Sequence, residues 1–130
     1  MIETSITKSA KLLFLKAILN DTCKIALYGK DAELDCDTQF YTPKGEVSGQ
    51  GYQPGGMKLK NCDVHLEDEA ACITWDNAVW QNATITAAGY MIYDTSKNNT
   101  AIFVGSWGSE YTSTNGPFVV NIPHKQIMFL

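Results

Sequence analysis

Five of the chain's ten glycines fall between Gly45 and Gly56, in the segment GEVSGQGYQPGG. Each glycine in regular structure costs roughly 0.5–1 kcal/mol relative to Ala, so the residue is placed where the backbone needs φ > 0 or close approach. The segment is not a Gly/Ser tether, because Glu46, Val47, Tyr52 and Pro54 restrict or anchor it and Tyr41 precedes it. A shaped loop of this kind belongs between strands.

The rest of the chain supports a β-rich fold. CKIALYG, Cys23 to Gly29, has β-branched and aromatic residues before a turn signal and is predicted to be a strand. A turn-rich excursion follows over about 30–56, acidic at first and broken by Thr42-Pro43 and Pro54-Gly55-Gly56. Met57 to Leu66 and Ala70 to Trp75 are predicted to pair as a hairpin around Glu67-Asp68-Glu69. Thr84 to Tyr93 has β-branched or aromatic residues on both parities and a mid-strand Gly89. It is expected to be the central strand, buried on both faces, with a close backbone neighbour. After a turn at Asp94 to Asn99, Ala101 to Trp107 should pair back onto it, and Phe118 to Ile122 should form a further strand after an Asn115-Gly116 turn. The tail from Gln126 to Leu130 is apolar and needs a protein surface to cover it.

Ahead of these strands, an amphipathic helix is expected over about 8–19, starting near Thr7 or Ser9. Lys16 interrupts its apolar patch and no small-residue cleavage site follows, so it reads as a retained helix and points to a cytoplasmic origin. The predicted architecture is one mainly β domain over residues 1–130, an antiparallel β-sandwich or small barrel with one N-terminal α-helix.

Charge narrows the function classes. The net charge is −4 and none of the ten basic residues is arginine. Phosphate and nucleic-acid recognition depend on basic patches and favour the planar guanidinium fork, so neither is expected here. No apolar run reaches the roughly 18 residues of a membrane span. Cys23, Cys36, Cys62 and Cys72 are expected to be thiols, as suits a reducing compartment.

No catalytic, cofactor-binding or metal constellation emerges. Cys62 and His65 are separated by three positions, which on a strand puts them on opposite faces. A zinc set of Cys36, Cys62, His65 and Cys72 lacks the paired spacing of structural sites. Asp31, Glu33, Asp35 and Asp37 alternate as in a calcium loop, but Cys36 stands where that loop needs glycine and Thr42 where it needs a bidentate Glu. The glycine segment carries neither phosphate-binding pattern. Trp75, Trp80, Trp107, Tyr90 and Tyr93 read as core or interface residues before a glycan platform.

Three ordered stretches carry a resemblance: ALYG (26–29), FYTPKGEVSGQGYQPGG (40–56) and WDNAVWQNATITAAGYMIYD (75–94). Together with the helix before them, over roughly residues 12–107, they resemble a group of small tailed-bacteriophage virion structural proteins. That resemblance implies a virion component without cofactor, assembled in the host cytoplasm. It would be a capsid decoration (cement) protein on the major capsid protein shell or a tail-fibre or head-fibre attachment module. It also implies a homo-oligomer, most simply a trimer, that binds neither nucleic acid nor membrane. The candidate protein-contact residues are Tyr41, Glu46, Tyr52, Pro54, Ile127, Phe129 and Leu130.

Overall fold

The computed structural model describes residues 1–17 and 22–122 and the backbone of 127–129. Helix α1, Lys8–Lys16, starts where Thr7 caps it: the Thr7 Oγ1 accepts the Ala10 N–H at 3.1 Å, satisfying an otherwise orphaned donor. Leu15 is buried, and the Lys11 stem lies along the body to let Nζ donate to the Glu69 carbonyl at 2.9 Å. Leu13 and Phe14 face outward. Residues 18 and 19 of the expected helix lie outside the described residues.

Among the described residues seven strands follow: β1 Cys23–Tyr28, β2 Met57–Lys58, β3 Asp63–Glu67, β4 Ala70–Thr74, β5 Ala78–Asp94, β6 Thr100–Val120 and β7 Ile127–Phe129. They form two antiparallel sheets of order β2-β1-β5-β6 and β3-β4-β7. Among the described residues the expected mainly β, antiparallel fold with one N-terminal helix is present, and neither sheet closes into a barrel.

Alternation along β1 shows how the larger sheet is buried on both faces. Cys23, Ile25 and Leu27 join Ile92 from β5, Ile73 from β4 and Leu15 in the main core between the sheets. Ala26 and Tyr28 point the other way and meet Met91 and Tyr93, under Ala32, Leu34 and Tyr41 of the long excursion. That excursion therefore supplies the second cover of the sheet. Its acidic residues Asp31, Glu33 and Asp35 point to solvent while Ala32 and Leu34 turn inward, which explains the alternation. Gly89 sits where β5 and β6 approach closely: a Cβ there would lie 2.5 Å from the Gly105 carbonyl oxygen.

Two strand expectations are corrected. Met57 to Leu66 is not one strand: Met57 and Lys58 pair with β1, the chain bends at Asn61 (φ 55°), and Asp63 onward joins the other sheet, where β3 does form the hairpin with β4. Asn115-Gly116 is not a turn, and the two short strands expected around it are one strand, β6. Asn115 adopts φ 48° as a bulge, matched on β5 by Asn82 at φ 49°. Between the pairs Trp80–Phe118 and Ala83–Gly116 β5 carries the extra residue; between Ala83–Gly116 and Ile85–Ser113 β6 does. The two slips cancel, so the pairs Ala78–Val120 to Trp80–Phe118 and Ile85–Ser113 to Ala87–Tyr111 on either side of them share one register.

The β5–β6 connection is the expected turn. Asp94 caps a 3-10 turn over Thr95–Lys97, and Asn98 and Asn99 take left-handed conformations. Its buried carboxylate accepts from the Thr22 hydroxyl (2.6 Å), the Ser96 N–H (2.9 Å) and the Ser96 hydroxyl (2.7 Å), and pairs with Lys97 Nζ at 3.2 Å. Burial alone would raise its pKa, but these donors outweigh it and hold the group at about 2.

Candidate functional site

Two surfaces merit comparison, the glycine flap and the outer flank of β6. The flap is organised by one carboxylate. Glu46 accepts from the Tyr41 hydroxyl at 2.5 Å, from the Tyr52 hydroxyl, and from the Gly55 N–H at 2.8 Å. The Tyr52 oxygen in turn accepts the Leu27 N–H of β1 at 3.0 Å, and the Tyr93 hydroxyl of β5 donates to the Gly55 carbonyl at 2.6 Å. Bonds to a carboxylate are among the stronger in proteins.

Burial raises the pKa of Tyr52 above its ordinary value, with its bond to Glu46 adding to the effect. Burial and the same carboxylate also raise those of Tyr41, Tyr28 and Tyr93. All four phenols keep their protons at neutral pH, as donation to Glu46 or to a carbonyl requires.

Main-chain bonds complete the flap. The Gly29 N–H donates to the Gly45 carbonyl (2.9 Å), Val47 N–H to Leu27 (3.0 Å) and Thr84 N–H to Gln50 (2.9 Å). Residues 45–47 thus extend the sheet along the part of β1 that β2 leaves uncovered. Gly56 shows why glycine is needed: at φ +80°, a Cβ would lie 1.8 Å from the Ile25 carbonyl oxygen.

These contacts sort the expected contact residues. Tyr52 is corrected: only 7% exposed, its ring packs near Trp80 (6.0 Å between centroids) and its hydroxyl is used internally, so it anchors the flap from within. Tyr41 stacks on Tyr93 at 4.8 Å and is half-buried, as is Glu46. Pro54 is exposed. Ile127 and Phe129 lie on β7, whose backbone pairs with β4, and Leu130 lies outside the described residues.

Of the second surface the sequence singles out Trp107, read as core or interface before a glycan platform, but not Tyr111 or the groove beside them. Where β5 advances from Ala87 to Gly89, β6 runs from Tyr111 back to Ser106, a wide bulge with Gly108 at φ +79°. The slack brings Trp107 and Tyr111 edge to face at 6.2 Å and 83°. Trp107 also stacks on Tyr90 at 5.6 Å and packs near Phe118 at 6.1 Å. A groove of about 400 Å³ opens beside them, running to Asn121. A further signal that could have marked it is Gly108, between Trp107 and Tyr111.

The outer edge of β6 is itself a poor template for another strand. Phe40 bridges to Thr100 at its start, the bulges interrupt its middle, and Pro117 has no N–H to offer.

The remaining chemistry-bearing residues are placed as follows. His65 lies opposite Cys72 in the β3–β4 pairing, with Nδ1 3.3 Å from Asp63 and Nε2 3.3 Å from Glu67. Cys72 is fully buried and Cys36 is exposed on the excursion. Trp75, Trp80, Tyr90 and Tyr93 are buried, as core residues should be, while Trp107 is half-buried. Among the described residues no group of three or more His, Cys, Asp and Glu side chains is arranged to hold a metal ion, and no helix is long and apolar enough to cross a membrane. No protein-family model, curated protein or solved structure matches the chain.

Proposed function

We propose that this protein is a structural component of a tailed-bacteriophage virion, a capsid decoration protein that docks on the major capsid protein shell. One observation carries the proposal. The three stretches that resemble the phage group, far apart in sequence, meet in one hydrogen-bonded unit: β1 through the Leu27 N–H, the flap through Glu46, Tyr52 and Gly55, and β5 through Tyr93. The residues that carry the resemblance thus hold together one unit of this fold, which supports reading the resemblance as a likeness of fold and not of isolated words.

The outward surface suits docking. Leu13 on α1 and Phe40 beside β6 are exposed large apolar side chains that a neighbouring protein would cover. A stable contact buries about 800 Å² on each partner. Because the β6 edge resists sheet extension, copies of the chain in a trimer would not join by strand pairing along it. The test is cryo-electron microscopy of purified virions: regular density of this shape on the shell is expected, and density confined to the tail would contradict the capsid assignment. A second reading, a head-fibre or tail-fibre attachment or receptor-binding module, is favoured by the half-exposed aromatic pair Trp107–Tyr111.

A further inference from the structure

The groove beside β6 has a defined chemistry. Its aromatic wall is Trp107, Tyr111 and Phe118; its polar groups come from Thr112, Ser113 and Asn121. Among the described residues no Asp, Glu, Lys or His lines it, on a chain whose net charge is −4. At about 400 Å³ it falls within the ~300–1,000 Å³ range of small-molecule sites.

The aromatic wall is held in place. Tyr111 is 54% exposed, yet its ring meets Trp107 at 83°, and Trp107 is itself backed by Tyr90 and Phe118. An exposed ring fixed in this way offers its face at little entropic cost on binding. The face of an aromatic ring carries negative quadrupole density and attracts weakly positive C–H groups.

The polar groups fit the same ligand. The Ser113 hydroxyl donates to the Ala83 carbonyl at 2.9 Å and still has lone pairs with which to accept. The Asn121 Oδ1 accepts from the Asn77 amide at 3.2 Å, which leaves the Asn121 N–H groups to donate. An anionic ligand would lose its water here without gaining a cation, whereas a neutral one carries no such penalty.

We propose that this groove binds a neutral oligosaccharide, with the C–H face of one pyranose ring on Tyr111 and its hydroxyls bonded by Ser113 and Asn121. A saccharide is the ligand whose two surfaces, apolar C–H face and uncharged hydroxyl rim, match the wall and the polar groups together. The inference goes beyond the docking reading and does not depend on where the protein sits in a particle.

The test is a titration of the full chain, followed by tryptophan fluorescence and calorimetry, with a panel of neutral oligosaccharides built from glucose, N-acetylglucosamine, galactose and mannose, and a sialylated one as the anionic control. Saturable binding of at least one neutral member is expected. Tyr111→Ala should weaken it about tenfold or more, the loss of one stacking contact, with unchanged circular dichroism. Asn121→Ala, a change at an exposed residue, should weaken it as well. Absence of saturable binding across the neutral panel, equal binding by both variants and the parent, or preference for the sialylated member would overturn the proposal. So would loss of self-association in Tyr111→Ala on sedimentation, which would assign the groove to a contact between copies.

Discussion

The flap and the outer flank of β6 are built from similar materials, glycines among aromatic residues, and the structure uses them in opposite ways. In the flap the tyrosines turn inward and spend their hydroxyls on Glu46 and on backbone groups of β1 and the flap itself. On β6 the glycine at 108 opens a bulge and leaves Tyr111 facing solvent. Glycine density alone therefore does not mark a binding loop. What separates the two is whether a central acceptor gathers the polar ends of the rings.

The largest expected effect comes from alkali. A phenol whose folded-state pKa is raised contributes stability that is fully present below its unfolded value, about 10, and is lost as pH rises from there. Tyr28, Tyr41, Tyr52 and Tyr93 all shift in that direction. Absorbance titration should show these four of the six tyrosines ionising only as the fold is lost. Smooth titration of all six near pH 10 with circular dichroism unchanged would remove the closed flap from the account.

Next comes Gly56→Ala, where the added Cβ meets backbone at positive φ. Urea denaturation should show a loss of about 3–5 kcal/mol. Glu46→Ala orphans the Tyr41, Tyr52 and Gly55 donors together, with an expected loss of about 2–3 kcal/mol and a smaller one for Glu46→Gln, which keeps an acceptor. Stability of Glu46→Ala within about 0.5 kcal/mol of the parent would mean that the tyrosines are satisfied elsewhere.

A smaller effect belongs to the turn that joins β5 to β6. Asp94 has a depressed pKa, so its contribution is present above its unfolded value of about 3.9 and is lost as pH falls towards about 2. Asp94→Asn should lower stability at neutral pH and flatten the acid limb between those values in a series of thermal melts. The smallest effect is expected at Gly108, where a Cβ meets nothing within 4 Å and only its φ of +79° resists substitution. Gly108→Ala should lose about 1 kcal/mol. A loss matching that of Gly56→Ala would erase the contrast between the two glycines.

Much of the fold was readable because local pattern and tertiary structure agree there. The Thr7 cap, the strand β1, the β3–β4 hairpin and the close approach at Gly89 each follow from residue type and spacing. The length of β6 was hidden because Asn115-Gly116 favours positive φ both in a turn and in a bulge, and only the partner bulge at Asn82 decides between them. The split at Asn61 was hidden because sheet membership is a long-range property that alternation does not encode. At the level of sites, the tyrosines and Glu46 were visible as anchors, but Tyr52 was expected to face a partner and instead faces β1, a direction set by the Leu27 N–H. The β6 groove depends on a bulge whose register only the pairing with β5 fixes.

Amide hydrogen exchange resolved to single residues tests the contrast between flap and flank most directly. The Leu27, Val47, Gly55 and Thr84 amides, bonded to or within the flap, should be protected close to the level of global unfolding, while the β6 amides directed away from β5, apart from Ala101, which bonds the Gln39 carbonyl, exchange rapidly. Rapid exchange of those four amides in the folded protein, at rates like those of the open β6 edge, would contradict a closed flap.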